Sequence, residues 1–98
     1  MPLQIILSPR AKADYFNIIE YLKKEWTLKE VEKFDKKFSA LIAVLSLNPL
    51  AFNSYKGINI RKAVIDKHSS IFYRLKDDKV ELITIWASKR NPKKLRIK

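Results

Sequence analysis

Two helical periods split by a capping signal, followed by an abrupt change to alternation, constrain this chain more than any other feature. From Ser8-Pro9 onward, Ala11, Tyr15, Ile18, Ile19, Leu22 and Trp26 recur at steps of three and four residues, the mark of one helix face. Ser8 suits the N-cap, and Pro9 suits the first helical position, where an amide has no helical partner anyway. Thr27-Leu28-Lys29-Glu30 has the spacing of a capping box, in which the Thr hydroxyl accepts the Glu30 amide and the Glu carboxylate reaches back. Trp26 and Val31 flank it at the positions of a hydrophobic staple. The first helix therefore stops near Trp26. A second starts after Thr27 and ends near Asn48-Pro49. Val31, Phe34, Phe38, Leu41, Ile42 and Leu45 form its apolar face, and Lys29, Glu32, Lys33, Lys36 and Lys37 its polar one. So short a connection makes an antiparallel helical hairpin.

After a loop from Pro49 to Gly57 the period changes. Ile58–Ile65, Ser69–Leu75 and Val80–Ala87 are rich in β-branched and aromatic residues, and their joins, Asp66-Lys67-His68 and Lys76-Asp77-Asp78-Lys79, suit tight turns. These segments read as a three-stranded antiparallel meander. Leu3–Leu7 is a further strand, which must join the sheet or leave its backbone groups unpaired. The expected fold is α+β, β-α-α-β-β-β, with the helical hairpin packed on one face of a small, mainly antiparallel sheet. Residues 1–98 fit one domain, without repeats or linkers.

The balance of 21 Lys+Arg against 10 Asp+Glu gives a net charge of +11, which attracts nucleic acid, acidic protein segments or anionic lipid. The bland alternative is a solubility surplus. The segment Ser88–Lys98 holds six of the positive charges and no acid, and Pro92 keeps it out of a sheet interior. Lys89, Arg90, Lys93, Lys94 and Arg96 are the expected partner-binding residues. Folded back along the sheet, they would join Arg61, Lys62, Lys67 and Arg74 in one positive surface. Lysines that merely keep a strand edge from aggregating are the competing reading.

Several chemistries fall away. There is no cysteine, hence no disulfide or thiolate chemistry, and no ligand set for a metal or cofactor is expected. A lone glycine, Gly57, excludes a P-loop or a Gly-rich phosphate cradle. The apolar run Leu3–Leu7 is too short for a signal peptide, and no stretch approaches the ~20 apolar residues of a membrane span. A cytoplasmic location with no membrane partner is expected. His68, the only histidine, is a candidate general base, or simply a polar residue at a hairpin turn. Ile71, Tyr73 and Leu75 form an alternate apolar set facing the helices, which turns Arg74 and Phe72 outward. Phe72 is then an exposed aromatic, a stacking platform for a base or an ordinary surface residue. Trp86 shares that ambiguity.

Ile60-Arg61-Lys62-Ala63-Val64, His68-Ser69-Ser70-Ile71-Phe72-Tyr73-Arg74-Leu75, the Asp77-Asp78 turn and Trp86-Ala87-Ser88-Lys89-Arg90-Asn91-Pro92-Lys93-Lys94-Leu95 occur in an order that resembles the RelE/ParE superfamily of toxins from bacterial type II toxin–antitoxin modules. The resemblance covers nearly the whole chain. It implies a growth-inhibiting toxin of a plasmid-stabilisation module, bound by a cognate acidic antitoxin in a hetero-oligomer. ParE-like members inhibit DNA gyrase, whereas RelE-like members are ribosome-dependent mRNA endoribonucleases. In the nuclease case the resemblance assigns Arg61, His68, Arg74 and Arg90 to the chemistry. Beyond Trp86 there is no Tyr or His, which departs from the nuclease pattern and favours the ParE-like side. A non-toxic basic nucleic-acid-binding module is the alternative from another class.

Overall fold

The computed structural model describes residues 2–54 and 59–87. Its elements are β1 (Gln4–Leu7), α1 (Pro9–Glu25), α2 (Leu28–Leu47), β2 (Arg61–Asp66), β3 (Ser69–Lys76) and β4 (Lys79–Ala87). That is the order expected from the periodicity. The helix ends are set locally. Ser8 Oγ accepts the Ala11 amide at 3.0 Å, and Thr27 Oγ1 accepts the Glu30 amide at 3.3 Å. The Asn48 amide closes α2 on the Val44 carbonyl at 2.8 Å. Pro49 then forces Asn48 out of the helical region.

The sheet has the order β1-β4-β3-β2. β1 runs parallel to β4, and the other pairs are antiparallel. Asp77 and Asp78 join β3 to β4 with φ of 52° and 60°. Two left-handed residues give the turn whose twist matches that of a two-residue hairpin. At the other hairpin, Asp66 Oδ1 accepts the His68 amide at 2.8 Å and so holds the turn.

The core lies between the helical hairpin and the sheet. Ala11, Leu22, Phe34 and Leu45 meet Ala63, Ile71, Tyr73, Val80, Leu82 and Ile85 there, all buried. Tyr73 thus faces the helices, as its alternation predicts, and its hydroxyl donates to the Pro49 carbonyl at 2.6 Å. Burial raises its pKa, and nearby Arg61 offsets part of that rise. The two helices are pinned by Tyr15, whose ring sits 4.9 Å from that of Phe38 and whose hydroxyl donates to Asp35 at 2.5 Å. Burial, the hydrogen bond and the Asp35 charge push the Tyr15 phenol up to about 12.

Two expectations change. β2 begins at Arg61 and not at Ile58, which lies outside the described residues. Ser54 bridges to Arg61, and the Arg61 guanidinium donates to the Phe52 carbonyl. Asn53 and Ser54 therefore lie alongside the start of β2. Phe72 is half-buried and not exposed, because Lys62, opposite it in the register, lies with its ammonium 6.0 Å from the ring centroid.

Candidate functional site

The candidate cations go to separate places. Arg61 sits opposite Tyr73 in the β2–β3 register, on the helix-facing side. Arg74, one residue further along β3, points to the other face, where its Nε donates to Glu81 Oε1 at 2.7 Å. His68 lies beyond the start of β3, about 20 Å along the strand from Arg74 at ~3.3 Å per residue. Arg61 and Arg74 therefore face away from each other, with His68 at a third location. Arg90 and the other expected partner-binding residues, Lys89, Lys93, Lys94 and Arg96, lie outside the described residues.

A different set of side chains does converge. Where β4 passes beyond its pairing with β1, α1 takes over that edge. The β1 ladder ends at Leu7 opposite Leu82, because Ser8 and Pro9 start the helix. β4 then carries one extra residue, Ile83, between the partners of Tyr73 and Phe72. A bulge of this kind frees backbone groups, and α1 supplies partners for them. Ser8 Oγ donates to the Ile83 carbonyl at 2.7 Å. The Asp14 carboxylate accepts the Ile85 amide at 3.0 Å and the Thr84 hydroxyl, with Arg10 3.5 Å away.

Below this junction a cleft opens at the end of the molecule where α1 turns into α2 and where β2 and β4 stop. Its first lobe, about 300 Å³, is walled by Leu22, Ile85, Trp86 and Tyr21. Its second, about 500 Å³, runs past Trp26 and is rimmed by Lys33, Lys37 and Lys67. His68 and Phe34 line both lobes. Trp86 is 56% exposed. The Tyr21 hydroxyl is closed off from solvent and has no hydrogen-bond partner among the described residues. The carboxylates around the cleft are engaged: Asp14 as above, Asp66 in the turn, and Glu30 with Lys33 at 3.6 Å. Among the described residues no group of carboxylates and histidines is arranged to hold a metal ion, and no helix is long and apolar enough to cross a membrane.

His68 and Trp86 were singled out by type, and both reach the cleft. Asp14 and Tyr21 were not, since each reads as an ordinary helix position. The signal was present nonetheless: Arg10, Asp14, Asn17 and Tyr21 form a polar stripe at helical spacing beside the apolar face.

Residues 5–92 match the family described as the ParE toxin of the type II toxin–antitoxin system parDE. No curated protein matches the sequence closely enough to count as a relative. Among solved structures, the fold is similar to that in the chromosomal ParDE toxin–antitoxin system from P. aeruginosa, with a TM-score of 0.74 at 14% identity over 89% of this chain and 97% of that one. The YoeB/ParE toxin from Agrobacterium tumefaciens gives 0.67 at 16% identity over 89% of this chain and all (100%) of that one. The YoeB–YefM complex from Staphylococcus aureus gives 0.64 at 18% identity, over 91% and 100%. At such identities the structural likeness is one of fold.

Proposed function

Because this chain belongs to the ParE toxin family of type II toxin–antitoxin systems, we propose that it arrests growth by binding DNA gyrase and not by cleaving RNA. A cognate acidic antitoxin holds it inactive. RNA cleavage through the 2′-hydroxyl needs a base, a phosphate stabiliser and an acid gathered on one phosphodiester. The observation that carries the reading is the dispersal of the groups available for this. Arg61 and Arg74 face opposite sides of the sheet, and each is already bonded, to the Phe52 carbonyl and to Glu81. An inhibitor that works by occupancy needs no such convergence. The absence of Tyr or His beyond Trp86 supports the same side. The net charge of +11 favours a partner rich in carboxylates.

The test is to induce the chain in growing bacteria and ask what fails first. The expected result is filamentous cells with DNA damage and intact messages, together with inhibition of supercoiling by purified gyrase. Early translation arrest with cleaved messages overturns the reading in favour of a ribosome-dependent mRNA endoribonuclease.

A further inference from the structure

The second half of α2 is apolar on the side that faces solvent as well as on the side that faces the sheet. Although 32% of the chain is charged, no charged residue lies between Lys37 and Lys56. Lys36, Ala40, Ala43 and Leu47 follow one another at helical spacing along an outward stripe, so a charged surface gives way to an apolar one halfway along the helix. Ala40, Ala43 and Val44 are exposed, Leu47 is 69% exposed, and Leu50, just past the helix, is 60% exposed. A helix that is apolar all round is ordinarily a buried one, and a contiguous exposed apolar patch marks a contact surface.

The order of side-chain sizes along the stripe points to its occupant. Consider two copies of α2 packed antiparallel about a twofold axis between residues 43 and 44. Leu47 of each copy then falls on Ala40 of the other, large on small, as interdigitating layers require. Ala43 and Val44 flank the axis, where the small Ala43 lets the two backbones approach. Lys36 comes level with Ala51, beside the C-terminus of the other α2. That helix has no basic residue in its last turn, so the negative end of its dipole is uncompensated within one copy. Parallel packing instead sets Lys36 on Lys36 and Leu47 on Leu47, like charge on like and large on large. An acidic partner would find no cation on this face between Lys37 and Lys56.

We propose that this face of α2 is the interface of a homodimer, in which two copies of the chain pack antiparallel through Ala40, Ala43, Val44 and Leu47. Such a contact is isologous and closes at two copies. One helix against its copy is small for an interface, so the dimer forms at micromolar and higher concentrations. Two chains of net charge +11 repel each other, and salt screens that repulsion. The dimer therefore tightens as salt rises, the reverse of an association held by opposite charges. None of this depends on the toxin reading.

Sedimentation equilibrium of the purified full chain, from micromolar to near-millimolar concentration at low and high salt, measures the association. The expected result is a monomer–dimer equilibrium that moves toward dimer in high salt. Ala43→Glu, which sets one carboxylate from each copy at the axis, should weaken it at least about tenfold. The thermal midpoint of the dilute monomer should hardly move, since the position is exposed there. Val64→Glu, at an exposed apolar residue of β2, should leave the association unchanged.

Cysteine, which the chain lacks, tests the geometry. Ala43→Cys should cross-link two copies under oxidation, because the two copies of residue 43 are offset by only about 1.5 Å along the helices. Ala40→Cys alone should not, since its two copies are about 10 Å apart along the helices, beyond disulfide reach. Mixed with Leu47→Cys, it should. A monomer at every concentration overturns the proposal and leaves this face to a different partner. A dimer that weakens in salt, or one lost equally in Val64→Glu, overturns it too. Cross-linking of Ala40→Cys with itself does the same, because it marks a parallel pair.

Discussion

Asp14 on α1 accepts the backbone amide of Ile85 on β4 at 3.0 Å, across 71 positions of sequence. With Ser8 on the Ile83 carbonyl, it stands in for the strand that β1 no longer supplies beyond Leu82. One carboxylate thereby fixes how the first helix sits over the end of the last strand, which is also one wall of the cleft.

Asp14→Ala leaves that amide without its acceptor. Unfolding in urea should show a loss of about 1–3 kcal/mol, the usual cost of stranding a buried polar group. Asp14→Asn keeps an acceptor oxygen and should lose less than half as much. Equal losses in the two variants would mean that the charge, and not the hydrogen bond, carries the effect.

The β3–β4 turn asks two aspartates to adopt left-handed backbone, a conformation that glycine and asparagine reach more easily. Replacing Asp77-Asp78 with Asn-Gly should stabilise the protein by about 0.5–1 kcal/mol. For a domain of this size each 1 kcal/mol raises the melting midpoint by roughly 4–8 °C. A lower midpoint would show that the aspartates make a contact worth more than the backbone relief.

Tyr15 makes stability depend on alkaline pH. Its folded-state value is pushed from 10.0 to about 12. Below pH 10 both states keep the proton, so the contribution is fully present. Between pH 10 and about 12 only the unfolded chain releases it, and stability must fall. Tyr73, also raised by burial, adds in the same direction. Urea midpoints measured across this window should drop with pH, and less steeply in Tyr15→Phe. An identical slope in the variant would remove Tyr15 as the cause.

Replacing Lys93, Lys94 and Arg96 with Ala should weaken the complex with the antitoxin and flatten its salt dependence, with little change in thermal midpoint. A large drop in midpoint would show these residues to be structural.

What could be read in advance depended on how local the physics is. The helical hairpin needs only the spacing of Tyr15, Leu22, Phe34 and Leu45 and the Thr27 cap, all expressed within a few turns of chain. The inward side of Tyr73 follows from alternation alone. That β1 joins the sheet was legible, because unpaired strand backbone is costly; that its neighbour is β4, in parallel, was not, since register is a long-range choice. The cleft was hidden for the same reason. Tyr21, Phe34, His68 and Trp86 come from α1, α2, the β2–β3 turn and β4, and each has an ordinary reading on its own. The bulge at Ile83, which brings Asp14 into use, leaves no trace in the composition of β4.

The parallel β1–β4 ladder also has a kinetic meaning. The hairpin of helices and the β2–β3–β4 meander close through short loops, whereas Ser8 meets Ile83 across 75 positions. Closing so long a loop is entropically expensive and is deferred until other contacts hold its ends. β1 is therefore expected to dock after the transition state. Trimming Ile5 or Leu7 should accelerate unfolding while leaving the refolding rate nearly untouched. Resistance to forced or proteolytic opening is then governed at this four-residue edge, a part of the molecule that contributes little to the speed with which it forms.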